Sequence, residues 1–137
     1  MKLSTIALFL CACCLGCGSE QASQAPVRPA AFLDDSMDMD TGNTFIREVT
    51  AGSTGEITFR VTSQGGFTVY VVTAAGHKSV KENPKQKFPE EELLLMTVSK
   101  SPTHEGAVTI PAGSSYFYIK NDAADKVNLR LECFPPG

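Results

Sequence analysis

Residues 126–133 read Lys-Val-Asn-Leu-Arg-Leu-Glu-Cys, an unbroken alternation of polar and apolar side chains. A period of two is the pleat of a β-strand: it sends Val127, Leu129, Leu131 and Cys133 to one face and their neighbours to the other. A helix would scatter the same residues around its circumference. Residues 56–62 repeat the pattern, with Ile57, Phe59 and Val61 on one face. Strands of this kind are half-buried, so the chain must build sheets with one face in a core and one face in water.

Other segments join them. Residues 67–73 (Phe-Thr-Val-Tyr-Val-Val-Thr) are β-branched and aromatic, and Ser63-Gln64-Gly65-Gly66 before them is turn chemistry. The two strands and this short loop predict a hairpin. Residues 43–50 form a strand with Phe45 and Val49 on a shared face. Residues 107–110 and 115–120 form two more, separated by Pro111-Ala112-Gly113. Residues 77–87 read as a polar loop. Pro89 followed by Glu90, Glu91 and Glu92 resembles a helix start, and the apolar run 93–98 fits a helical turn or a buried strand. A strand over about 93–99 is preferred, because five other strands need a partner. The expected fold is all-β, an antiparallel sandwich of about six to eight strands over residues 43–137.

A chain of 137 residues holds one such domain, and its composition is that of a folded protein. A net charge of −3 argues against nucleic acid as a partner, since that function needs a basic face. Four of the five cysteines, Cys11, Cys13, Cys14 and Cys17, lie at the start, so the body is no disulfide scaffold. Lys2 followed by a nearly unbroken apolar stretch to Gly16 has the form of a signal peptide. It falls short of the about 20 apolar residues that a membrane-spanning helix requires.

Cys14-Leu15-Gly16-Cys17, with polar sequence directly after it, resembles the cleavage box of bacterial lipoprotein precursors. Gly16 and Cys17 match that pattern; Cys14 stands where Leu is usual and Leu15 where a small residue is usual. Leu10-Cys11-Ala12-Cys13 is a competing box, which leaves cleavage before Cys13 as the alternative. The resemblance implies a signal peptide over 1–16, lipidation of Cys17, and a lipid-anchored place in the bacterial cell envelope. Gly18 implies the outer membrane if the cell has two. Each buried methylene adds about 0.8 kcal/mol, so the two or three acyl chains of a lipoprotein hold stably where one does not.

Residues 17–42 read as a flexible acidic tether, with one base (Arg28) and five acids (Glu20, Asp34, Asp35, Asp38 and Asp40). As a coil it would reach on the order of 25–30 Å from the membrane. The later segment, from about residue 50 to 133, is loosely similar to small exported jelly-roll or GOLD-like β-sandwiches. That likeness implies binding and assembly, with no catalytic residues.

Few residues carry chemistry. Residues 34–43 fail the spacing of a calcium loop, with Gly42 and Asn43 at ligand and glycine positions. Met37 and Met39 are soft ligands and, with His77 or His104, compose a weak copper site. The expected set of cofactors is nevertheless empty. Cys133 is read as a buried, inert thiol. Lys78, Lys81, Lys85 and Lys87 form a basic loop facing solvent, lipid headgroups or peptidoglycan carboxylates. Tyr70, Tyr116 and Tyr118 offer an aromatic face for sugar or protein contact, or else half-buried strand positions. No nucleophile elbow and no metal-spaced histidine pair is present, so the chain is not expected to be an enzyme. The expectation is a non-catalytic binding module of the envelope, its partner a protein or a polysaccharide. A copper-handling protein is the alternative.

Overall fold

The computed structural model describes residues 30–136. The expected signal peptide, Cys17 and the first half of the expected tether lie outside the described residues. Eight strands run β1 (Leu33–Met39), β2 (Thr44–Ala51), β3 (Gly55–Thr62), β4 (Phe67–Thr73), β5 (Leu93–Ser99), β6 (Thr103–Ile110), β7 (Gly113–Asn121) and β8 (Val127–Phe134). One helix, α1 (Ala74–Glu82), and a single 3-10 turn (Glu90–Glu92) fill the connection between β4 and β5.

The strands form two antiparallel four-stranded sheets, ordered β1-β8-β3-β6 and β2-β7-β4-β5. Every connection but that from β4 to β5 crosses from one sheet to the other, which gives the wiring of a jelly roll. The expected sandwich is therefore present. The predicted hairpin of residues 56–62 and 67–73 is not: β3 and β4 lie in opposite sheets. Loop 63–66 is tied to other loops instead, through Ser63 N to Pro102 O (2.8 Å) and Asp122 N to Gly66 O (3.0 Å). Both strands turn an apolar face inward, and a four-residue loop spans the gap between two layers as readily as it closes a hairpin.

The alternation read from the sequence sets the core. Ile57, Phe59 and Val61 of β3 and Val127, Leu129, Leu131 and Cys133 of β8 are buried against Phe45 and Val49 of β2 and Phe117 and Ile119 of β7. The rings of Phe59 and Phe117 meet edge to face across the two sheets, 5.3 Å between centroids. Gly106 makes room for this: a Cβ there would stand 2.9 Å from Cζ of Phe59.

The acidic tether ends earlier than residue 42. Leu33–Met39 is a strand, paired with β8 along its whole length from Leu33↔Cys133 to Met39↔Val127. Its acids have partners. Arg130 donates to both oxygens of Asp34 (2.9 and 2.8 Å), Arg47 donates to Asp35, and Asn128 donates to Asp38 (3.0 Å). Acids on an exposed edge strand also oppose edge-to-edge aggregation. The polar loop expected over 77–87 is, in its first half, α1. Thr73 caps it by accepting from Gly76 N (3.1 Å), the ordinary chemistry of a helix start. Residues 89–99, open between helix and strand, are a 3-10 turn followed by β5.

Asn121 ends β7 and is fully buried. Its amide donates to Met39 O (3.0 Å) and Asp125 O (3.1 Å), and its carbonyl accepts from Ala123 N (2.8 Å). One side chain thus fixes the β7–β8 turn against the end of β1. Asn121→Ala leaves the buried Met39 carbonyl without this partner and frees the partly exposed Asp125 carbonyl and Ala123 N–H to water, so it should cost about 1–3 kcal/mol, the penalty of one unsatisfied buried group. Leu129→Asp should abolish the cooperative melt by placing a charge in the core, while Lys85→Ala, on the surface, should leave the melt in place. Thermal denaturation followed by circular dichroism checks all three.

Candidate functional site

The two outer faces of the sandwich differ. On the sheet containing β8, one cross-strand row reads Asp34, Glu132, Arg60 and Glu105. Arg60 pairs with Glu105 (3.3 Å) and Glu132 (3.6 Å), and Arg130 pairs with Asp34 (2.8 Å) and Glu132 (3.7 Å). Two arginines thus face three acids, and most of the charge is paired within the face. The more exposed of these pairs, such as Arg130–Asp34, contribute about 0–1 kcal/mol each, so they serve solubility more than stability.

The outer face of the sheet containing β7 is built otherwise. One cross-strand row there reads Ile46, Tyr118, Tyr70 and Met96, and the next reads Thr44, Lys120, Thr68 and Val98. Ile46, Met96 and Val98 are exposed apolar side chains on positions where a wet face normally carries polar ones. The connection between β4 and β5 rises beside these rows. It contributes Val80 from α1 and Gln86, Lys87 and Phe88 from the segment after it. The result is a groove of about 660 Å³ with Tyr70, Tyr118 and Met96 among its floor residues and Phe88 in its wall. That volume lies within the roughly 300–1,000 Å³ typical of small-ligand sites.

The aromatic rings form a continuous run. Phe88 meets Tyr118 nearly perpendicularly at 4.9 Å between centroids and Tyr70 at 5.5 Å. Tyr118 lies 5.8 Å from the His77 ring, and His77 stacks on Tyr116 at 3.7 Å with the planes 9° apart. Gly76 lets α1 approach this closely, since a Cβ there would stand 3.0 Å from the Cβ of Glu92 and 3.3 Å from that of Val72. Thr73 also donates to Glu92, which ties the base of the helix to the 3-10 turn.

Polar atoms hold the end of the run. His77 Nδ1 and the Tyr118 hydroxyl are 2.5 Å apart, and the Tyr116 hydroxyl donates to Glu48 (3.1 Å). Burial, aided by the nearby Lys81 charge, holds the His77 pKa below the usual 6.5, which favours the neutral ring. Burial raises the Tyr118 pKa, with Tyr116 adding to the effect. The bond to Glu48 raises that of Tyr116. Both phenols therefore keep their protons, and the site is uncharged apart from its lysines and Glu48.

The structure gathers some of the singled-out residues and separates others. Tyr70, Tyr118 and Lys87 line the groove, and Tyr116 supports it through His77. Lys78, Lys81 and Lys85 lie on α1 and the loop after it, outside the lining. The four soft-metal candidates do not converge. Met39 is packed in the core, Met37 is exposed on the edge strand β1, His104 lies on β6 at the opposite edge of the same sheet against Phe59, and His77 is on the other sheet's outer face. No cluster of three histidines, cysteines or acids suited to a metal occurs among the described residues. Cys133 is fully buried, and burial pushes its thiol up to about 12. Sequence reasoning missed Phe88, Met96, Ile46 and Lys120. The signal for two of them was present: Ile46 and Met96 are apolar on the outward parity of their strands.

A depressed histidine pKa has a definite sign. As pH falls below about 6.5, the unfolded imidazole takes up a proton before the folded one does, so stability falls with pH in that window. Lys81 and Glu48, with Tyr116 and Tyr118, are the titratable groups facing His77. The His77 ring protons should titrate by NMR with a midpoint below 6.5. In His77→Gln, that part of the acid-side loss of stability should vanish.

No protein-family model matches this chain, and no curated protein matches it. Solved structures similar to it include two of low sequence identity. One is a carbohydrate-binding module, CBM6cm-2, from Cellvibrio mixtus lichenase 5A in complex with cellotriose, at 17% identity over 80% of this chain and 92% of that one, with a TM-score of 0.43. The other is hydroquinone 1,2-dioxygenase from Sphingomonas sp. TTNP3 with 4-hydroxybenzoate bound, at 13% identity over 87% of this chain and 72% of that one, with a TM-score of 0.31.

Proposed function

We propose that the chain is a lipid-anchored binding module of the bacterial cell envelope, and that its outer-face groove holds a saccharide without chemically changing it. The observation that carries the ligand reading is the floor row Ile46, Tyr118, Tyr70 and Met96, walled by Phe88. A sugar ring has an apolar C–H face and a polar rim. The first fits against flat aromatic and thioether surface, and the second meets Thr44, Gln86 and the lysines at the margin. The ring contacts keep Phe88 against Tyr70 and Tyr118, so part of the ordering cost is met before a ligand arrives. The anchor rests on Cys17 and the box around it, with the segment before residue 30 as the tether.

Phe88→Ala should weaken binding to envelope polysaccharide by about tenfold or more, the effect of about 1.4 kcal/mol at an aromatic anchor. Affinity electrophoresis through gels containing the polysaccharide reads this, and the melting temperature reports whether the variant still folds. Equal mobility with and without the polysaccharide, for the native chain, would overturn the saccharide reading. The anchor is tested separately. Labelling cells with a fatty-acid analogue should mark the native chain and leave Cys17→Ala unmarked.

A further inference from the structure

The margin of the groove carries charge of one sign. Lys87 and Lys120 line it, from the loop on one side and from the row beside Tyr118 on the other, and no carboxylate shares the lining. Among the described residues the ion pairs are made by Arg47, Arg60 and Arg130, and neither lysine takes part in one. Asp122, just past the end of β7, accepts a hydrogen bond from the Thr68 hydroxyl (2.5 Å) and lies outside the lining. Two ammonium groups outside any ion pair among the described residues, beside an apolar floor, complement a ligand with an apolar face and an anionic edge.

Resting on the saccharide reading above, we propose that the ligand is an anionic saccharide, with a carboxylate or a phosphate on the sugar held by Lys87 and Lys120 while the ring lies over Tyr70 and Met96. A recess favours this over a membrane surface. Flat arrays of headgroups are met by protruding basic side chains, whereas here Lys87 and Lys120 share the lining of one groove with Tyr70, Met96 and Phe88. Lysine also suits a ligand whose charges recur along a chain at variable angles, because its ammonium is a point charge on a flexible stem.

The test is isothermal titration of the full chain in detergent with three probes: tetragalacturonate, pentamannose 6-phosphate, and neutral cellotetraose. Binding of either anionic probe, at least about tenfold tighter than cellotetraose and weakened about tenfold between 20 and 300 mM salt, is the expected result. Lys87→Ala and Lys120→Ala should each remove most of that preference. Lys120→Arg should keep it, and Lys126→Ala, a surface lysine of the β7–β8 turn, should match the native chain. Which of the two anionic probes binds identifies the charged group. Equal binding of cellotetraose and the anionic probes would overturn the charge assignment and leave the saccharide groove standing. Binding of none of the three would overturn both. Anionic preference that survives in Lys87→Ala and Lys120→Ala would overturn the residues named.

Discussion

The contact between Phe59 and Phe117 joins the two sheets at their centre, and the groove depends on it. Phe117 points inward from β7, so the pleat sends its neighbours Tyr116 and Tyr118 outward. Burial of Phe117 therefore fixes which side of β7 carries the tyrosines. The ring seats against Phe59 because Gly106 leaves space behind it. A slip of one residue in the pairing of β7 would bury the tyrosines and expose the phenylalanine, at the cost of most of the core. Core and site are opposite faces of one strand.

The outer faces follow from the same pleat but were filled differently. One became a ladder of arginines and acids paired across β1, β8, β3 and β6. The other kept apolar side chains and, among the described residues, lysines outside any ion pair. It is partly roofed by α1 and the segment after it. This explains why β4 is buried on nearly every residue, Phe67 to Val72, where β8 alternates. Arg47, reaching from β2 to Asp35 of β1 and lying 4.2 Å over the Phe45 ring, closes the sandwich along one side.

The sequence was most legible where one face is wet. Residues 57, 59 and 61, and 127 through 133, alternate strictly, and their burial follows. It was least legible where a residue answers to something distant. Asp34 and Asp35 look like tether because their arginine partners lie ninety-six and twelve residues away. The loop 63–66 has the length of a hairpin turn, and only pairing elsewhere decides that it crosses between layers. α1 hides because one buried glycine and a capping threonine replace the apolar stripe that would have announced it. In the groove, Tyr70, Tyr118 and Lys87 were visible as candidates. Phe88 was not, because nothing local says that a loop phenylalanine will fold back onto two strand tyrosines.

The segment from residue 83 to 92 hangs between α1 and β5 and sets no strand register. It still supplies Gln86, Lys87 and Phe88. Insertions and deletions there would redraw the wall of the groove and leave the eight-stranded frame unchanged. These ten residues can change shape without disturbing the frame, while the floor tyrosines are bound to the core by the pleat.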